Sequence, residues 1–184
     1  MQNLGLSDAG ARSESRIKSL FWPSIHTLDH VDYLGTQGLW VCVLVALLSF
    51  GLSLYSGHPL IGLLILLSFY LAGVGVREHD RYAAALVFVF YLADLLIAGT
   101  SVLRIGIAAV LFSNLRATWI ASRWASDALG TPAPPRLMET WSDKFADQIP
   151  PWLWPKARIL FYVLATIMLA LEALALMVVR RQSI

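Results

Sequence analysis

The sequence predicts an all-α, polytopic integral membrane protein, and three observations carry that expectation. Of its 184 residues, 58% are hydrophobic and only 14% are charged, where a soluble domain carries about 25% charged residues. The apolar residues are gathered into runs long enough to cross a bilayer as helices. The seven tryptophans, Trp22, Trp40, Trp119, Trp124, Trp141, Trp152 and Trp154, fall near the starts of those runs or in the long connection. An interfacial aromatic belt has that distribution; a soluble core does not.

Residues 1–33 form a polar and interfacial N-terminal segment. It lacks the basic stretch followed directly by an apolar one that marks a secretory signal, so it is expected to be retained. Within it, Ile17, Leu20 and Phe21 share a helical face beside Arg16 and Lys18, a pattern suited to a bilayer surface. Residues 34–184 read as one four-helix transmembrane domain. The first span covers about 38–55 and the second 60–76. Only Ser56, Gly57, His58 and Pro59 separate them, and glycine and proline there favour a tight antiparallel hairpin. The charged stretch VREHDRY leads to a third span, 83–112, whose thirty residues make a helix of ~45 Å. That exceeds a hydrocarbon core of ~30 Å, so this helix is expected to tilt or protrude.

The connection 113–157 follows. TPAPP, 131–135, stops its first helical stretch. Beyond it, Leu137, Trp141, Phe145 and Ile149 recur every fourth residue and predict an amphipathic helix, packed on the membrane surface or against the bundle. The fourth span covers about 158–179 and ends at Arg180 and Arg181. Four crossings place both ends of the chain on one side of a plasma (inner) membrane. The basic residues barely choose which side. Arg12, Arg16, Lys18, Arg77, Arg81, Arg180 and Arg181 face Arg116, Arg123, Arg136, Lys144, Lys156 and Arg158, so the expectation of cytoplasmic ends rests on a slight bias.

Charges within apolar runs are the candidate functional residues, because an ionised carboxylate in hydrocarbon costs several kcal/mol, about 3 on the lenient insertion scales. Asp94 lies deep in the third predicted span. Arg104, ten residues further on, is near the exit, where its side chain can reach the headgroups. Glu172 in the fourth span falls at a depth similar to Asp94. Two carboxyls brought together there could share a proton, or could lock two helices by a hydrogen bond. Ser101 shares the side of Asp94. Asp94, Glu172, Arg104 and Ser101 are therefore the expected polar centre within the membrane.

His26 and His30 have the i, i+4 spacing of a metal pair, and His79 with Asp80 would share their compartment. No third ligand is specified nearby, so these four are weak metal candidates beside the simpler reading of interfacial residues and helix caps. No haem, metal or other cofactor is expected: no histidine lies inside a span, and no catalytic triad or nucleophile elbow is present. The one cysteine, Cys42, reads as a small buried hydrophobe. No zinc-finger, RNP or phosphate-loop pattern points to nucleic acid. The expected function is transport or permeation of an ion or small solute, with membrane lipids and further copies of the chain or a larger membrane protein as partners. A non-catalytic accessory or assembly subunit is the first alternative. An enzyme at the lipid interface, built on His26, His30, His79 and Asp80, is the second.

Overall fold

The computed structural model describes Ile25 and residues 28–127 and 141–182. The N-terminal segment around Ile17, with His26 and the TPAPP stretch, lies outside the described residues. These are all-helical with no strand: α1 Leu28–Tyr55, α2 Pro59–Arg77, α3 Arg81–Ala98, α4 Val102–Asp127, α5 Trp141–Ala146 and α6 Leu153–Gln182. Four stretches are long and apolar enough to cross a membrane: His30–Tyr55, Pro59–Arg77, Val102–Arg123 and Leu153–Val178.

Between α1 and α2, Gly57 takes the left-handed conformation at φ 77°. His58 N–H donates to the Ser53 carbonyl at 2.8 Å and Gly57 N–H to the Leu54 carbonyl at 3.1 Å. This is a Schellman closure, which satisfies the last carbonyls of a helix. Pro59 then starts α2, where its missing N–H is no loss. The two helices touch closely further along, since a Cβ on Gly73 would lie 2.9 Å from Cys42 Cβ.

The third predicted span, 83–112, is corrected. It is not one helix but two antiparallel ones, α3 and α4, joined by Gly99–Ser101. Gly99 adopts φ 83°, which a helix cannot accommodate. Ser101 Oγ then accepts from Arg104 N–H at 3.3 Å and caps the start of α4. The hairpin brings the rings of Phe88 and Phe112 to 5.3 Å; on one continuous helix they would be ~36 Å apart. At 18 residues, α3 is ~27 Å long, enough to cover most of a hydrocarbon core.

Long-range contacts fix how the helices share two ends. Arg77 at the end of α2 meets Thr36 near the start of α1. Arg81 at the start of α3 lies over the ring of Trp119, late in α4, at 5.8 Å. Trp154 at the start of α6 reaches Asp80. These residues define one end of the bundle, called the basic end below. The turns at Ser56–His58 and Gly99–Ser101 and the end of α6 define the far end. The core between them includes Leu39 and Cys42 of α1, Leu71 and Val74 of α2, Val87 and Phe90 of α3, and Phe161 and Ala165 of α6.

Burial is uneven along the bundle. In α6 only 11% of the apolar window is buried, against 44% in α2, so most of α6 is left for lipid or for another chain. The stripe expected on 137–149 is also divided. Leu137 lies outside the described residues, and among those described in this stretch the helix is Trp141–Ala146. Trp141 and Phe145 face outward at 77% and 44% exposure, whereas Ala146 enters the core.

Candidate functional site

At the basic end the polar groups are joined to one another. Asp80 begins α3 as its N-cap, with Oδ1 accepting from the backbone N–H of Tyr82 at 2.9 Å and of Ala83 at 3.2 Å. The same carboxylate accepts from Trp154 Nε1 at 3.2 Å and from the Tyr162 hydroxyl at 3.1 Å. One side chain therefore starts α3 and ties α6 to the α2–α3 corner. Gly75 permits the approach, because a Cβ there would lie 2.5 Å from the Trp154 ring. Trp154 is thus a buried core residue, 7% exposed, and not a headgroup anchor.

Arg77, 2% exposed, ends α2 with its guanidinium inside the protein. Nη1 donates to Thr36 Oγ1 at 2.5 Å, and Nη2 donates to Asp147 Oδ1 in an ion pair. Asp147 belongs to the segment that follows α5, so this contact fastens the long connection onto α1 and α2. The neighbouring His79 has φ 56°, and its strain follows from closing α2: Asp80 N–H donates to the Gly75 carbonyl at 2.9 Å and His79 N–H to the Val76 carbonyl at 3.0 Å. Its Nε2 lies 3.9 Å from Asp32 Oδ1 on α1. Deeper, Asn114 donates to its own helix at the Val110 carbonyl, 2.9 Å. Its Oδ1 rests over Gly38, where a Cβ would come within 2.8 Å.

The four weak metal candidates do not converge where they are described. His79 turns to α1 and Asp80 to α6, while His26 lies outside the described residues. Among the described residues, no three His, Cys, Asp or Glu side chains are grouped so as to hold a metal ion.

At the far end the polar groups are open. The α3–α4 hairpin overturns the depth expected for Asp94, which stands one turn from the end of α3 and not midway along a thirty-residue helix. It also overturns the separation of Asp94 from Arg104, since both now flank one turn and both charges act on Tyr91. Arg104 Nη1 donates to the Gly99 carbonyl at 2.9 Å, so the arginine covers the turn that Ser101 caps.

Asp94 continues the inward stripe of α3 that runs through Ala83, Val87, Phe90 and Tyr91. These four are buried, but Asp94 is exposed. Glu172 continues the inward stripe of α6 through Phe161, Ala165 and Met168, and cover declines along it in the same way. The charge of Asp94 acts on Glu172, and no hydrogen bond or ion pair joins the two. Glu172 Oε2 is buried without a partner. Two inward stripes thus end in carboxylates where the bundle is no longer closed.

Comparison with family models, with curated proteins and with solved structures finds no match to this chain. The geometry of these two ends is therefore the basis for a functional reading.

Asp80, Arg77 and Asp147 illustrate what sequence reasoning misses. The sequence offers Asp80 only as a weak ligand or a cap, counts Arg77 only among the basic residues that bear on orientation, and leaves Asp147 without a role. Their partners lie tens of residues away. The only local signal was the charge density of VREHDRY beside a glycine-rich helix end.

Proposed function

We propose that this chain is a small multi-pass membrane protein that admits a cation, a proton or a small cationic solute, at the far end of its bundle. Asp94 and Glu172 are the groups that attract it. The supporting observation is that both carboxylates prolong core-facing stripes to where the bundle is no longer closed, and that Glu172 Oε2 has no hydrogen-bond partner there. Two carboxylates at one open end, with Arg104 engaged on the Gly99 carbonyl, favour the uptake of a positive charge. The expected outcome in liposomes is a cation or proton flux that drops about tenfold or more in Asp94→Asn and Glu172→Gln. That is the effect of losing ~1.4 kcal/mol of differential binding.

The alternating directions of α1, α2, α3, α4 and α6 favour five crossings, with the start of α1 and the end of α6 on opposite sides. Under that threading the basic residues are no longer balanced. Among the described residues, Arg77, Arg81, Arg116, Arg123, Lys144, Lys156 and Arg158 gather at one end, against Arg104, Arg180 and Arg181 at the other. The positive-inside rule then makes the basic end cytoplasmic. In intact cells, an impermeant thiol reagent should label Gln182→Cys and leave Lys156→Cys untouched.

A second reading, an assembly subunit whose open α3–α6 face receives a helix of another chain or copy, is favoured by the scant burial of α6. If purified protein carries no flux and Asp94→Asn instead loses a co-purifying membrane protein, that reading replaces the first.

A further inference from the structure

The Arg77 guanidinium sits in a niche closed by the chain's own carboxylate. Arg77 is 2% exposed. It spends Nη1 on Thr36 and a single contact from Nη2 on Asp147 Oδ1, while Nε is buried with no partner. A guanidinium presents Nη2 and Nε as a fork that matches the two oxygens of a carboxylate or phosphate. Asp147 engages one prong of that fork.

The segment that brings Asp147 is short, and its cover is one-sided. Ala146 is buried at 2%, whereas Trp141, Lys144 and Phe145 on the same small helix are exposed. Its position at the basic end exposes it to the compartment that faces Lys144 and Lys156, whose charge attracts anions.

We infer that Arg77 and Thr36 form a binding site for a small anion, carboxylate or phosphate in type, which residues 141–149 occupy internally through Asp147. An arriving anion takes the Nη2–Nε fork, displaces the Asp147 carboxylate and frees the segment from α1 and α2. No covalent step is involved. The inference concerns the basic end and stands apart from the cation reading of the far end.

The test uses the full-length protein in nanodiscs, with Cys42→Ala removing the native thiol and Ala146→Cys reporting on the segment. The thiol at 146 is labelled slowly by an impermeant maleimide when its segment is seated. Inorganic phosphate should accelerate labelling about tenfold or more over sodium chloride of equal ionic strength, an effect equal to ~1.4 kcal/mol in the opening equilibrium. Asp147→Asn should give fast labelling without phosphate, and Arg77→Gln should abolish the phosphate response.

Equal effects of phosphate and chloride would mean screening alone and would overturn the site. So would a phosphate response that survives Arg77→Gln, or fast labelling of Asp147→Asn together with no phosphate response in the parent protein. Should Ala146→Cys disturb folding, proteolysis of residues 141–149 in the Cys42→Ala protein, with and without phosphate, gives the same two decisions.

Discussion

The two ends of this bundle treat their charged side chains in opposite ways. At the basic end, Asp80 takes hydrogen bonds from two backbone amides, a tryptophan and a tyrosine, and Arg77 is buried against Thr36 and Asp147. At the far end, Asp94 is exposed and Glu172 keeps an unpartnered oxygen. The difference teaches where charge serves structure and where it is left available. A buried, paired charge is costly to disturb, because removing one partner strands the other away from water. An exposed carboxylate near a turn contributes little to folding and remains free for a ligand or a neighbouring chain.

The comparison can be broken first at Arg77. Replacing it with Met should destabilise the protein by about 3–5 kcal/mol, since the buried ion pair with Asp147 and the hydrogen bond to Thr36 are both lost. Thermal unfolding in detergent measures this. A negligible change would mean that the basic end is not held as described.

Next in size, Gly75→Ala and Gly38→Ala should each cost about 1–3 kcal/mol. The added carbon meets the Trp154 ring at 2.5 Å in one and Val76 Cγ1 at 2.6 Å in the other, and neither neighbour is a loose surface group. Asp80→Ala should fall in the same range from loss of the cap and the links to α6. Tyr162→Phe should cost only about 1 kcal/mol, because it removes a single donor while Trp154 still reaches Asp80. The ordering of those two is what sharpens the account of Asp80 as a shared acceptor.

The smallest stability effects belong to the far end. Asp94→Asn should shift folding by no more than about 0.5 kcal/mol in either direction, as surface substitutions do, while flux falls both in it and in Glu172→Gln. A large loss of stability with flux preserved would assign those carboxylates to structure after all.

Much of this fold is legible in the sequence. The long apolar runs give α1, α2 and α6 because a helix is the form in which a continuous chain segment satisfies its backbone in lipid. The Gly57–Pro59 signal gives the first turn because its dihedral and missing donor act locally. The break at Gly99–Ser101 is hard to see in the sequence, since leucine, isoleucine and valine continue on both sides and hide three small residues in the average hydropathy. Its signal was nevertheless there: a glycine that can stop one helix, followed by a serine that can cap the next.

That miss carried over to the site. With one long helix, Asp94 looked deeply buried and Arg104 distant. With two, they bracket a turn. Asp94 and Glu172 could be singled out because a carboxylate in an apolar run is conspicuous by itself. Arg77 with Asp147 and Asp80 with Trp154 could not, because those pairs exist only once helices far apart in the chain meet.

The α3–α4 hairpin underlies both ends, and a disulfide tests it most directly. In a Cys42→Ala background, Phe88→Cys with Phe112→Cys should oxidise within one molecule, as the native rings are 5.3 Å apart. If residues 83–112 instead form one rod, those thiols stand ~36 Å apart. No intramolecular bond would then form, and the division into a closed and an open end would be wrong.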